Sequence, residues 1–252
     1  MLPVADPLTG GSWAVFLDVD GTLLDLADAP HLVHVDTRLL RLLDSLLQVT
    51  GGAVAIVSGR SIADLDQLFS PLVLPAAGLH GAERRDARGV LHRRPVDPRL
   101  RQIVHELASW SRSRPGTLVE DKGGAVALHY RLAPDQEESA GNLIRSIAAE
   151  LGGSYVVQAG KKVVEIKPAG VSKATAILEF MNEAPFVGRR PVFAGDDVTD
   201  DDGFLAVCGL GGIAVGVGER KFSHASCHLP SVGAVESWLR EYVDSCRHGE
   251  LA

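Results

Sequence analysis

Short apolar segments recur along the chain and alternate with amphipathic helical patterns. The apolar segments are AVFL (14–17), AVAIV (53–57), PVFA (191–194) and GIAVGV (212–217). Between the first two, Asp36 precedes leucines that form a helical stripe at 39, 42, 43 and 46, and Gly51-Gly52 follows it. Continuous apolar strands that alternate with helices are typical of a parallel sheet covered on both faces. The outer parts of the chain therefore predict an α/β core with a central parallel sheet.

A different pattern occupies the middle of the chain, from about residue 84 to residue 169. Polar and apolar positions alternate in TLVEDKGGAVALHYR (117–131), with Gly123-Gly124 as a natural hairpin turn. A helical stripe follows, and then two more short strands, SYVVQ (154–158) and KVVEIK (162–167). Alternation with a period of two is typical of antiparallel strands with one packed face. We predict a smaller α+β domain at 85–169, inserted into a core domain formed by 1–84 and 170–252.

Composition and charge narrow the class of protein. The 252 residues include 46% hydrophobic and 23% charged residues, which is ordinary for a soluble globular enzyme. A net charge of −7 argues against nucleic acid or an anionic membrane surface as the main partner, because both call for a basic face. A small anionic molecule remains possible as the partner if local cations or a metal offset this charge. The sequence is otherwise silent on oligomeric state, and we expect a monomer.

Cysteine usage and the first residues bear on location. The three cysteines, at 208, 227 and 246, lack the spacing of a disulfide framework or a zinc ribbon and fit a reducing compartment. The segment MLPVADPLTGGSW has no basic region followed by an apolar run, so it does not read as a signal peptide. The longest uncharged run, 204–218, is glycine-rich and too short to span a bilayer. We expect a cytoplasmic protein.

Polar clusters follow three of the predicted strands. They are Asp18 with Asp20, Ser58-Gly59-Arg60, and Gly195-Asp196-Asp197. In parallel sheets, ligands bind at the carboxyl ends of the strands. A helix cap and a turn residue would explain one acid after the first strand, but not two acids at this spacing after an all-apolar run. Because buried carboxylates are costly without partners, these clusters predict a site that supplies them.

Four motifs now carry a family resemblance. DVDGTL (18–23), SGR (58–60), the lysine of GVSKA (170–174) and GDDVTD (195–200) resemble, in order, the signature motifs of the haloacid dehalogenase (HAD) superfamily of phosphotransferases. GLHGAE (78–83), VEDKGGAVALHYR (119–131) and VVEIKPAGVSKATAI (163–177) resemble the trehalose-6-phosphate phosphatases within it. The resemblance covers residues 14 to 218. It implies a Rossmann-like HAD core with an inserted cap domain that sets substrate specificity.

Hydrolysis of a phosphate ester needs a nucleophile, neutralisation of the phosphoryl oxygens and an acid for the leaving alkoxide. Asp18 suits the nucleophile and would form an aspartyl-phosphate intermediate, and Asp20 suits the acid that later activates water. Lys173, as the third motif's lysine, is expected to pair with Asp18 and the phosphate. If Ser172 caps a helix, a cation at Lys173 is electrostatically disfavoured, although a solvated lysine would tolerate that position. Here Ala174 replaces the glycine usual after this lysine.

An acidic cluster predicts a metal ion. Five of the seven residues from 196 to 202 are aspartate. Asp201 and Asp202 suit the first turn of a helix and are interpreted as structural. Asp196 and Asp197 follow a core strand opposite Asp18, where their repulsion calls for a hard divalent cation, Mg²⁺.

The resemblance assigns the metal to particular groups. It implies that Asp18, the backbone carbonyl of Asp20 and Asp196 hold Mg²⁺. Asp197 and Asp200 are supporting candidates for this site.

Substrate contacts are divided between phosphate and sugar. Ser58 and the Gly59 amide suit the phosphate, and Arg60 suits either the phosphate or the cap. His80 and Glu83 are expected where core and cap meet. Charged residues on a free strand face are usually just solvated, but the resemblance implies that three of them bind sugar hydroxyls: Glu120, Lys122 and Glu165.

Three functions are considered. The leading hypothesis is Mg²⁺-dependent hydrolysis of trehalose 6-phosphate to trehalose and phosphate. The second is a phosphatase or phosphomutase for another sugar phosphate, built on the same core. The third, a non-catalytic sugar-phosphate sensor, would require a lost nucleophile or metal ligand, and all the candidates are present.

Overall fold

The computed structural model describes residue 8 and residues 12–26, 34–160 and 162–249. Most of the N-terminal segment that bears on a signal peptide lies outside these residues. The chain divides into two compact units. Unit 1 comprises the chain up to His92 and from Ser172 onwards, and unit 2 comprises Arg93–Val171.

The helices and strands follow the order that the sequence pattern indicates. Unit 1 begins with β1 (Trp13–Leu17), α1 (Thr37–Val49), β2 (Val54–Val57), α2 (Ile62–Leu68), β3 (Ala76–Gly78), β4 (Glu83–Arg85) and β5 (Leu91–Arg93). Unit 2 contains α3 (Leu100–Arg112), β6 (Leu118–Asp121), β7 (Val126–His129), α4 (Glu137–Glu150), β8 (Tyr155–Gly160) and β9 (Val163–Pro168). Unit 1 resumes with α5 (Lys173–Met181), β10 (Arg190–Gly195), α6 (Asp201–Gly209), β11 (Ile213–Val217), β12 (Cys227–Leu229) and α7 (Val232–Arg247).

The larger sheet has the strand order β12-β11-β10-β1-β2-β3-β4-β5. The strands from β12 to β3 are parallel, and β4 is antiparallel to β3. The predicted α/β fold with a central parallel sheet is therefore confirmed. Strands β4 and β5 extend this sheet, although the sequence analysis placed most of their residues in the insertion. The predicted domain bounds stay a prediction.

Strand β1 lies in the middle of the sheet and is buried on both faces. Val15 and Leu17 contribute to the apolar core that also includes residues of α1, α2 and α7. Ala14 and Phe16 contribute to a second core with residues of α5 and α6. This alternation explains why β1 is apolar at every position, since side chains along a strand point to opposite faces.

Two helices begin directly after a residue that the sequence predicts as their N-terminal cap. The side chain of Asp36 accepts hydrogen bonds from the N–H groups of Arg38 and Leu39, and α1 begins at the next residue. The predicted leucine stripe of α1 is buried. Ser172 caps α5 in a reciprocal arrangement with Thr175.

Unit 2 has its own antiparallel sheet, in the order β6-β7-β9-β8. One face packs on α3 and α4 through a separate apolar core that includes Leu107, Leu128, Ile144 and Ile166. The other face carries the charged residues described below. In the part of the chain that the structure describes, no helix has the length and apolar character to cross a membrane. A monomeric state, a cytoplasmic location and a specificity role for unit 2 stay predictions.

Candidate active site

The parallel register brings the ends of three strands together. Leu17 of β1 lies opposite Ala194 of β10 and Ile56 of β2. The N–H of Asp18 donates to the carbonyl of Ala194 at 3.0 Å, which fixes the backbone where β1 ends. Asp18, Ser58 and Asp196 therefore leave the sheet at the same edge, which is where parallel sheets bind ligands.

Lys173 lies inside this edge rather than in solvent. It is the first residue of α5 and is only 3% exposed. Its Nζ is 2.8 Å from Oδ1 of Asp18 and 2.5 Å from Oδ1 of Asp200. Two carboxylates thus offset the unfavourable position of a cation at a helix N-terminus. A buried lysine between two carboxylates provides a fixed positive charge beside the predicted nucleophile.

Burial and neighbouring charge perturb the pKa values of these groups. Burial, with repulsion from Asp200 and Asp196, raises the pKa of Asp18 well above its ordinary value, although Lys173 opposes the shift. Burial also raises the pKa of Asp200, and burial and the charge of Asp200 raise the pKa of Asp196 to about 7. Burial would lower the pKa of Lys173, but Asp18 and Asp200 raise it overall. Three carboxylates around one ammonium leave the cluster with excess negative charge.

The acidic cluster has the chemistry of a divalent metal site. Asp18, Asp196 and Asp200 each offer a carboxylate oxygen, and these oxygens lie within 4.8 Å of one another. Oδ1 of Asp196 is buried and has no hydrogen-bond partner among the described residues. A Cβ on Gly21 would lie 2.1 Å from Oδ2 of Asp196, so this close approach requires glycine. Hard oxygen donors and an orphaned buried oxygen together fit Mg²⁺.

The aspartates of GDDVTD lie in different surroundings. Asp200, a supporting candidate, is fully buried and forms part of the cluster. The side chain of Asp197, the other supporting candidate, forms an ion pair with Arg220. A single 3₁₀ turn over Val198–Asp200 returns Asp200 to the sheet edge, where its Oδ2 accepts from the Asp197 N–H at 2.9 Å. The Asp-x-x-Asp spacing of a capping box is the sequence signal for this turn.

Arg60, in the turn after β2, contacts Asp20, the predicted general acid. The guanidinium of Arg60 donates to both carboxylate oxygens of Asp20, at 2.7 and 2.6 Å. This bidentate pair raises the pKa of Arg60 and fixes the orientation of the Asp20 carboxylate. Ser58 is buried, and its hydroxyl accepts from the Arg60 N–H at 3.2 Å. Arg60 therefore contacts the predicted acid, a third role beside the two that the sequence suggested.

The segment GLHGAE packs against this turn. Leu79 and His80 both have left-handed backbone angles, with φ of 52° and 57°. Non-glycine residues adopt this conformation at a cost of roughly 1–2 kcal/mol each. Their N–H groups donate to the carbonyls of Arg60 and Ser58, and Oε1 of Glu83 accepts from the Ile62 N–H at 2.6 Å. The strained segment therefore supports the residues that follow β2.

In unit 2, the predicted sugar-binding residues share the open face of the sheet. Glu120 of β6 lies opposite Ala127 of β7, and Ala127 lies opposite Glu165 of β9. Nζ of Lys122 is 2.8 Å from Oε2 of Glu165, so this ion pair reaches across β7. The residues beneath it are small, Ala127 of β7 and Ala125 just before this strand, and both are fully buried. Alanines at these positions leave the room that the bridge needs.

His129 also belongs to this face, although the sequence reasoning did not select it. Its Nε2 is 2.8 Å from Oε2 of Glu120. Ala127 and His129 share one face of β7 because side chains alternate along a strand. The same periodicity that selected Glu120 and Lys122 was therefore the signal for His129.

Solved structures share this fold. A crystal structure described as a trehalose-6-phosphate phosphatase related protein superposes with a TM-score of 0.80 and 28% identity, over 94% of this chain and 100% of that chain. The C-terminal domain of the trehalose-6-phosphate phosphatase of C. albicans has a TM-score of 0.80, 21% identity and 93% coverage of both chains. The fold and the acidic site define a protein of the HAD-like phosphatase class.

Sequence comparison places the chain within that class. A protein of Sinorhizobium fredii named "Probable trehalose-phosphate phosphatase" is 46% identical over 225 residues, 89% of this chain and 85% of the relative. The trehalose-6-phosphate phosphatase of Escherichia coli is 43% identical over 242 residues, 94% and 90% of the two chains. The family model for trehalose-phosphatase matches residues 16–226. The chain belongs to the trehalose-phosphatase family.

Proposed function

We propose that this protein hydrolyses trehalose 6-phosphate to trehalose and inorganic phosphate. The observation that carries the chemistry is the buried pair of Asp18 and Lys173 at the carboxyl end of the central strand. A carboxylate held beside a fixed cation suits attack on an anionic phosphate, because the cation offsets the repulsion between them. Membership of the family supports the choice of substrate.

In the first step, a carboxylate oxygen of Asp18 attacks phosphorus, and the bond between phosphorus and O6 of the sugar breaks. Asp20 donates its proton to the leaving oxygen, so that trehalose departs as a neutral alcohol. The phosphoryl group then resides on Asp18 as an acyl phosphate. Arg60 donates to both oxygens of Asp20 in the structure, so one of these contacts must open before Asp20 can carry the proton.

In the second step, water hydrolyses the acyl phosphate. Asp20, now ionised, takes a proton from the water as its oxygen attacks phosphorus. The bond between phosphorus and the Asp18 oxygen breaks, which releases phosphate and restores the carboxylate. Lys173 neutralises negative charge on Asp18 and on the phosphoryl oxygens in both steps.

Groups around the cluster hold the phosphate. The hydroxyl of Ser58 and the N–H of Gly59 suit hydrogen bonds to phosphoryl oxygens at the end of β2. Asp18, Asp196 and Asp200, with the backbone carbonyl of Asp20, would hold Mg²⁺. When bound, Mg²⁺ neutralises the excess carboxylate charge and polarises the phosphoryl group.

Recognition of the sugar is assigned to unit 2. Carboxylates accept hydrogen bonds from several hydroxyls and an ammonium donates to them, so Glu120, Lys122 and Glu165 suit a disaccharide. Oε1 of Glu165 is buried and has no hydrogen-bond partner among the described residues. Such an acceptor supports a role in binding, because a hydroxyl of the substrate would satisfy it.

Phosphate release from a panel of sugar phosphates tests the proposal. We expect kcat/KM for trehalose 6-phosphate to exceed those for glucose 6-, mannose 6- and sucrose 6-phosphate by about 100-fold or more, since unmatched buried polar groups penalise the wrong sugar. The assay measures inorganic phosphate in the presence of Mg²⁺, and a chelator is expected to abolish release.

Two results would contradict the proposal. Similar values across the panel would remove the specificity for trehalose 6-phosphate. Transfer of the phosphoryl group to a second hydroxyl, without net release of phosphate, would identify a phosphomutase instead.

The role of Gly21 gives a test of the metal site. Gly21→Ala is expected to weaken Mg²⁺ binding by at least about tenfold, because the new Cβ would displace Asp196, and such losses are typical when a ligand is disoriented. Isothermal titration calorimetry of the purified variant measures the affinity. The matched control is Gly89→Ala, which has a similar φ of +83° but no atom within 4 Å of its Cβ. Equal affinities in the two variants would contradict the assignment of Asp196 to the metal.

A further inference from the structure

The open face of the sheet in unit 2 holds two carboxylates, each in contact with a basic side chain. Glu165 is paired with Lys122, and Glu120 with His129, both at 2.8 Å. The two carboxylates lie in one row across the sheet, with Ala127 between them. His129 and Lys122 therefore contact the two carboxylates at opposite ends of this row, Glu120 and Glu165.

The surroundings of His129 identify Glu120 as its hydrogen-bond partner. Residues directly across from His129 are Leu118 on β6 and Val163 on β9, neither of which offers a polar side chain. Glu120 lies diagonally across the β6–β7 pair, within reach of a long side chain. Since the glutamate is an acceptor when ionised, the Nε2–H of His129 donates and Oε2 of Glu120 accepts.

A carboxylate whose conformation is fixed by a hydrogen bond binds a sugar more tightly than a mobile one. Glutamate has several rotatable bonds, and ordering it upon binding reduces affinity for a ligand. A carboxylate offers about four acceptor positions, so one bond to His129 leaves capacity for sugar hydroxyls. Both Glu120 and His129 are partly exposed, at 40% and 34%, so a ligand can reach the pair.

We propose that His129 is a positioning residue for sugar recognition, which holds Glu120 for the hydroxyls of the disaccharide as Lys122 holds Glu165. The inference rests on the proposed hydrolysis of trehalose 6-phosphate and extends it to a residue outside the motif positions selected from the sequence. His129 acts through Glu120 and takes no part in phosphoryl transfer.

The test compares two substrates in each variant. Trehalose 6-phosphate carries the sugar, and p-nitrophenyl phosphate presents the same phosphoryl group without one. For His129→Leu, we expect the ratio of kcat/KM for the two substrates to fall about tenfold, through a higher KM for trehalose 6-phosphate, since loss of preorganisation weakens binding. His129→Gln retains an N–H donor and is expected to recover much of the ratio.

The matched control is His105→Gln, which alters an exposed histidine of α3 in the same unit. Its ratio is expected to equal that of the wild type. Melting temperatures of all variants show whether the fold is retained. A fall in melting temperature for His129→Leu, without rescue by glutamine, would identify a structural role and overturn the proposal.

A double-mutant cycle with Glu120→Ala gives the decisive measurement. Once Glu120 is removed, His129→Leu is expected to have little further effect on the ratio, because the two residues act as one unit. Two results would overturn the inference: effects of the two substitutions that multiply in the double variant, or an unchanged ratio in His129→Leu alone. In either case, a wild-type preference for trehalose 6-phosphate would still uphold the proposed function. A wild type without that preference would defeat the proposed function itself.

Discussion

Asp18→Asn is expected to reduce the turnover number for trehalose 6-phosphate by about 10⁴-fold or more, as is typical when an enzyme loses its nucleophile. The asparagine amide has nearly the same shape as the carboxylate but cannot form the acyl phosphate. Lys173 keeps its contact with Asp200 in this variant, so the fold should be retained. Steady-state phosphate release measures the loss. Rapid acid quenching should detect a phosphorylated protein in the wild type but not in the variant.

Asp202→Asn is the matched control for this prediction. Asp202 is exposed in the first turn of α6 and lies outside the acidic cluster. The same change of charge there is expected to leave turnover within about twofold of the wild type, since surface substitutions have small effects. Near wild-type turnover in Asp18→Asn would show that another group attacks phosphorus.

Lys173→Met is expected to lower both activity and stability. Removing the cation leaves the buried carboxylates of Asp18 and Asp200 without their common partner, which typically costs about 3–5 kcal/mol. For a chain of this size, that corresponds to a fall of about 10 °C in melting temperature. Turnover should fall by about 10³-fold, because a preorganised charge no longer stabilises the transition state. Thermal unfolding with a chelator present and phosphate release with Mg²⁺ provide the two measurements.

The destabilisation should depend on pH. Burial raises the pKa values of Asp18, Asp196 and Asp200, so the folded protein retains protons that the unfolded chain releases. Without Lys173, protonation at pH 5 removes part of the negative charge of the cluster. At pH 8 the unfolded chain ionises these groups freely, whereas the folded protein must either ionise them side by side or keep them protonated, so the free energy of unfolding falls. We therefore expect a larger loss of melting temperature at pH 8 than at pH 5.

The control for this substitution is Lys221→Met, which removes an exposed lysine. Its melting temperature and turnover should match the wild type. If Lys173→Met also melted like the wild type at pH 8, the cation would not be holding the carboxylates together.

The local pattern of the sequence predicted the elements that position the site. The apolar run 14–17 became the central strand, and the stripe that follows Asp36 became α1. These predictions hold because caps and periodic burial act over a few neighbouring residues. The position of Lys173 as the first residue of α5 follows from the Ser172 cap in the same way.

Tertiary packing decided which polar groups of these elements meet. Only two residues separate Asp197 from Asp200, yet Asp197 forms an ion pair with Arg220 and Asp200 is buried against Lys173. Composition does not distinguish these aspartates, because the direction of each side chain depends on how the turn packs on the sheet. The absence of a Cβ on Gly195 also matters, since one there would lie 2.4 Å from the Asp200 carboxyl carbon.

By itself, the sequence determined the alternation of strands and helices, the acids after β1 and β10, and the motifs that led to the family. Only the tertiary structure decided that Arg60 engages Asp20, that Asp200 joins the acidic cluster, and that His129 contacts Glu120. Periodicity reports which face a residue occupies, whereas a contact between strands depends on their order and register. Strand order depends on how the whole sheet packs, so the local pattern of the sequence did not decide which strands lie side by side.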